Sequence, residues 1–113
     1  MIEKIVLDYL NDVLAVPCYM EKPTEQEGKY VVIEKTSSSR SNHIDSATFA
    51  LQSYANSLYD AAELNNEVKA AMDSIITLPS IFESALNSDY NYTDVAKHNH
   101  RYQAVYDLVF NLT

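Results

Sequence analysis

The sequence holds one cysteine, one glycine, three prolines and no tryptophan in 113 residues, and it sets eight Lys plus Arg against sixteen Asp plus Glu. Each scarcity excludes something. With Cys18 alone, no intramolecular disulfide can form, and a reducing compartment is the expected home. A single glycine, Gly28, leaves no loop in which the backbone can close on a phosphate, so a nucleotide cradle is not expected. A formal net charge of -8 has the wrong sign for a chain that binds by neutralising phosphates, which argues against a sequence-specific nucleic-acid partner. No apolar run approaches membrane-spanning length, and Met1 to Asp8 scatters charges among apolar positions, unlike the basic-then-apolar layout of a signal peptide. No membrane partner is expected.

What is present describes a globular chain. Hydrophobic residues make up 47% and charged residues 21%, and nine tyrosines add large amphipathic rings, a balance that excludes intrinsic disorder. The length suits one domain over 1–113 with a single core. Ile2, Ile5, Val6, Tyr9, Leu10 and Val13 recur at helical spacing, with Glu3, Lys4, Asp8, Asn11 and Asp12 opposite, so the first element is an amphipathic helix that stops before Val16-Pro17. Cys18 to Met20 reads as a short strand, and Glu21 to Lys29, with Pro23 and Gly28, as a polar loop. Tyr30 to Thr36 is rich in β-branched and aromatic residues and predicts a strand. Ser37 to His43 is small and polar, the composition of a flexible hairpin tip. Ile44 to Tyr54 returns as a strand with Ala47, Phe49 and Leu51 on one face and Thr48, Ala50 and Gln52 on the other.

Asn56 or Ser57 is placed to cap a second helix, whose stripe is Leu58, Ala61, Ala62, Val68, Ala71, Met72 and Ile75, and Pro79 ends that region. Ile81 to Ser88 is a weaker strand, with Phe82 and Leu86 alternating against Glu83 and Asn87. Asp89 to Arg101 reads as a second polar hairpin tip. Tyr102 to Leu112 alternates strictly, Tyr102, Ala104, Tyr106, Leu108 and Phe110 against Gln103, Val105, Asp107 and Val109. The expectation is an α+β fold: about five mainly antiparallel strands, two helices on one face, in the order helix, three strands, helix, two strands.

Few residues suggest chemistry. His98 and His100 sit two apart and, with Asp94, are the one arrangement resembling a metal site, the basis of a small metal-dependent enzyme as an alternative reading. A third fixed ligand is missing from the pattern, and polar residues on a solvated loop explain it as well. Cys18, among Tyr19 and Met20, reads as a buried structural thiol. The serine run has no neighbouring acid or glycine-framed elbow, so no hydrolase centre is expected. An acidic mimic of nucleic acid would suit the charge, yet the carboxylates are dispersed with no dense run. Tyrosines are the enriched feature: those in strands fill a sheet or line an interface, whereas Tyr90 and Tyr92, in a polar segment, are the better contact residues.

Four stretches together resemble a family: Tyr30 to Thr36, Asn42 to Ala55, Ser57 to Asn65, and Leu86 to Asp94 with Arg101 to Asp107. They are similar to small tail-completion proteins, the tail terminators, of long-tailed phages and of prophages in Gram-positive bacteria, over nearly the whole chain. The resemblance implies an α+β subunit that closes into a ring, usually of six, on a finished tail tube and offers the joining surface to the filled head. It implies no catalysis and no cofactor. The implied partners are other copies of the chain, the tail-tube protein and a head-tail connector protein, first in the host cytoplasm and then in the virion tail. A head-completion or connector protein at the same junction is the neighbouring alternative. Arg40, His43, Tyr90, Tyr92, Asp94, Lys97, His98 and His100 are the expected contacts with neighbours or tube, and a lumen lined by surplus carboxylates would let the genome pass.

Overall fold

The computed structural model describes residues 1–24 and 28–112. Helix α1, Ile2–Val13, buries Ile2, Val6 and Leu10, which stack on one face at four-residue spacing. Asn11 then reaches past the helix end, where its Oδ1 accepts from the Cys18 N–H at 2.9 Å and its Nδ2 donates to the Cys18 carbonyl at 3.3 Å. One side chain thereby pins strand β1, Cys18–Tyr19, to α1. The loop expected over Glu21 to Lys29 includes residues 25–27, which lie outside the described residues.

Strands β2 (Tyr30–Ser41), β3 (Ile44–Ala55), β4 (Ile81–Asn91) and β5 (His100–Phe110) complete a sheet ordered β1-β2-β3-β5-β4. β1 runs parallel to β2, and the other neighbours are antiparallel. Helix α2, Leu58–Asp73, lies between β3 and β4 in sequence and opens on Ser57, whose hydroxyl accepts from the Asp60 N–H at 3.1 Å. The α+β class and the expected order of elements are those the chain adopts.

Register assigns the two faces. Val31, Ile33, Phe49, Leu51, Ala104, Tyr106, Leu108 and Phe110 share the face that packs on Ile2, Val6 and Leu10 of α1 and on Leu64, Val68 and Met72 of α2. Both helices cover that one face. Tyrosines bolt the layer: the Tyr9 hydroxyl donates to the Ala71 carbonyl at 2.7 Å, and the Tyr106 hydroxyl to Asp73 Oδ1 at 2.8 Å. Ser84 Oγ donates to the Met72 carbonyl at 2.7 Å. Ala71 and Met72 are among the last four residues of α2, whose carbonyls lack partners within the helix.

Several sequence expectations change. The serine run is not a loose tip but the outer half of β2, paired through Ser41↔Ile44, so the turn shrinks to Asn42 and His43, both at positive φ (52° and 66°). Backbone hydrogen bonding needs no particular side chain, and β3 supplies a partner to every serine from 37 to 41. The second tip is shorter too, because β4 continues through Asn91 and β5 begins at His100. In β4, register shifts at Ile81/Glu83 and Leu86/Ser88 break the alternation, leaving Phe82 56% and Leu86 44% exposed. In α2, Leu58 is exposed while Leu64 and Asn65 are buried, so the buried stripe is rotated from the expected one.

Candidate interaction surface

The helix-free face carries the unusual chemistry. Tyr30 and Tyr54 pair across β2 and β3, Gln52 and Gln103 across β3 and β5, and Gln103 and Tyr90 across β5 and β4. All project from the face opposite α1 and α2. The Tyr30 and Tyr54 rings stack with centroids 4.6 Å apart, and Tyr19 meets Tyr30 edge-on at 6.2 Å. Arg101 lies over both Tyr54 and Tyr92, its guanidinium carbon 5.7 and 4.4 Å from the two ring centroids, and Tyr92 meets Tyr90 edge-on at 5.9 Å.

A chain of hydrogen bonds runs beneath the rings. Arg101 Nη1 donates to the Tyr54 hydroxyl at 3.0 Å, and that hydroxyl donates to Gln52 Oε1 at 3.2 Å. Gln52 Nε2 donates to Gln103 Oε1 at 2.9 Å, and Gln103 Nε2 donates to the Tyr90 hydroxyl. Each member orients the next, so the network holds three strands' side chains in one arrangement. Arg101 Nε also donates to the Tyr92 carbonyl, which locks the exit from β4. Burial raises the Tyr30 phenol pKa, with Tyr54 adding to the effect and Arg101 opposing it. Lys22 places its ammonium 5.5 Å from the Tyr54 centroid, so this end of an acidic protein carries two cations over aromatic rings.

The expected contact residues separate into two groups. Arg40 and His43 sit at the β2–β3 tip, where Arg40 forms a two-pronged ion pair with Asp45 at 2.7 and 3.2 Å. That pair holds the Asp45 carboxyl below its ordinary pKa. Tyr90, Tyr92, Asp94, Lys97, His98 and His100 gather at the β4–β5 tip, where Asp94 bridges to Asn99 and accepts from the Lys97 N–H at 3.3 Å. The antiparallel register Asp45↔Phe110 and Ala55↔His100 puts the two tips at opposite ends of the sheet, in a molecule 44 Å long. They form two surfaces.

His98 adopts φ 55° in the turn while His100 belongs to β5, so the two histidines do not share one strand face. Both line a cleft of about 340 Å³ with Gly28, Tyr30, Tyr54 and Asn56. Among the described residues no group of three or more His, Cys, Asp or Glu is arranged to hold a metal ion. Cys18 is buried, and burial pushes its thiol up to about 11, away from the thiolate a nucleophile requires. No helix among the described residues is long and apolar enough to cross a membrane.

Arg101, Gln52 and Gln103 were not expected as members of this surface. The only sequence sign of the two glutamines was their place in strands, on the faces opposite the apolar positions. No protein-family model matches the chain, and no curated protein matches it.

Proposed function

We propose that the chain is a structural subunit of a phage or prophage tail, which closes into a ring on the end of the tail tube and presents the joining surface for the head. The supporting observation is the distribution of its surfaces: helices on one sheet face, a pre-ordered tyrosine, glutamine and arginine surface on the other, and two polar tips at opposite ends. A ring subunit touches its neighbours through different patches of the same chain and touches the tube through another, and this arrangement supplies separate patches. The accessible rings, Tyr90 and Tyr92, held in place by the network behind them, offer the aromatic area typical of protein contacts. The site of action is the host cytoplasm during assembly and then the virion tail.

Light scattering coupled to size exclusion, with the protein alone and then mixed with the tail-tube protein, tests this reading. A discrete ring, or a monomer that becomes one on the tube, supports it. A chain that stays monomeric and ignores the tube overturns it, and binding to the portal side would assign the chain to head completion instead.

A further inference from the structure

The sheet has two open edges, and they match. Among the described residues, β1 covers β2 only at Val31 and Val32, which leaves Glu34 to Ser41 without a neighbouring strand on that side. β4 is the opposite edge, and among the described residues no strand pairs with its outer side. Following the register across the sheet, Ala85 is level with Asp107, Thr48 and Ser37, and Ser84 with Leu108, Ala47 and Ser38. The free part of β2 and the first half of β4 therefore lie at the same height on the two edges.

Direction matches as well. β2, β3, β5 and β4 alternate, so β4 of one copy set beside β2 of the next continues an antiparallel sheet with the helices still on one side. Bulges delimit the usable stretches to Glu83 to Leu86 on β4 and Ser37 to Ser41 on β2. Exposed edges are commonly blunted by lysine or proline, and neither stretch contains either. The β2 stretch offers four small serines, the β4 stretch is flanked by exposed Phe82 and ends on exposed Leu86, and the charged members, Arg40 and Glu83, have opposite signs, so no like charges meet.

We infer that a second copy of this chain is the partner of these edges: β4 residues Glu83 to Leu86 of one copy pair antiparallel with β2 residues Ser37 to Ser41 of the next, head to tail. This rests on the ring reading and names how the ring closes. Pairing of one edge with itself would make a twofold dimer and leave the other edge open, whereas head-to-tail pairing uses both and propagates until it closes. At matched height Glu83, Ser84 and Ala85 face Ser39, Ser38 and Ser37, a short ladder, so association is weak in dilute solution and strengthened where copies are held side by side.

Cysteine trapping reads the contact directly. Ser37→Cys and Ala85→Cys place thiols on the same sheet face at matched height, and directly opposed positions in a continued sheet bring Cβ atoms within about 4.5–5.5 Å, near enough to oxidise with small movement. Cys18 is buried and stays out of the reaction. Oxidation of the double variant in the full-length protein is expected to give thiol-reversible bands at two, three and more chain masses, with each single variant staying at one. Ser39→Cys with Ala85→Cys covers a register slip of two residues. Absence of covalent multimers from both pairs overturns the inference, as do dimers that form equally in a single variant. Light scattering on the uncrosslinked protein separates the two levels: rings without cross-links reject the edge contact and keep the ring, whereas no oligomer at any concentration or on the tube rejects both.

Discussion

The Tyr30 and Tyr54 rings lie 4.6 Å apart and within 9° of parallel on the sheet face that no helix covers. Both are nearly inaccessible, at 6% and 4% exposure, so the stack acts as a small second core rather than as a free platform for a base or sugar. The two rings best placed to stack on this face are already stacked on each other. The outer members, Tyr90 and Tyr92, are the accessible ones, at 41% and 42%.

Tyr54→Ala should destabilise the fold by about 3 kcal/mol, the usual cost of deleting a buried aromatic. Tyr54→Phe should cost about 1 kcal/mol, since it keeps the stack and removes only the hydroxyl between Arg101 and Gln52. Urea denaturation of the three proteins measures both. Equal costs would mean that the hydroxyl network, and not the stack, holds this face.

Asn11→Ala should loosen β1 from α1 and lower stability by about 1–2 kcal/mol, because one side chain makes both hydrogen bonds to the Cys18 backbone. Hydrogen exchange at the Cys18 amide should accelerate more than exchange in β3. Uniform acceleration would show that β1 is held by other contacts.

Stability should fall in alkali. A thiol or phenol whose pKa is raised by folding keeps its proton in the native chain where the unfolded chain has already lost it, so the native state loses ground as pH rises. Cys18, raised from 9.0 to about 11, contributes fully below pH 9 and loses that contribution between pH 9 and about 11. Tyr106, raised by burial and by its bond to Asp73, extends the loss above pH 10. Denaturation midpoints measured from pH 8 to 11 should fall, and Cys18→Ala should flatten the first part of that slope. An unchanged slope in the variant would remove the thiol from this account.

If the chain is the proposed tail subunit, Tyr90→Ala together with Tyr92→Ala should weaken association with the tail-tube protein at least tenfold while leaving the melting temperature within a few degrees, since both rings are half exposed. Arg40→Ala, at the far end of the sheet, should act on a different contact. If both sets of changes altered tube affinity alike, the two tips would not be separate surfaces.

Much of the fold was legible because it depends on local periodicity. The helical spacing of Ile2, Val6 and Leu10, the alternation of Tyr102 to Phe110, and Ser57 as a cap each correspond to an element found where expected. Strand character in Ser37 to Ser41 was not legible, because serine has no side-chain preference for a sheet and its place there comes from pairing with β3. The bulges that expose Phe82 and Leu86 were equally silent, since a register shift depends on the partner strand and leaves no mark on the strand's own alternation. Tyr90 and Tyr92 could be singled out as contact residues from their polar surroundings, but their joining with Tyr54, Gln52, Gln103 and Arg101 required three strands brought together from distant parts of the chain. Residue types dictate which elements form; which side chains meet on the open face, and that Arg40 and His100 lie at opposite ends of the sheet, follows from strand order and register, which are long-range properties.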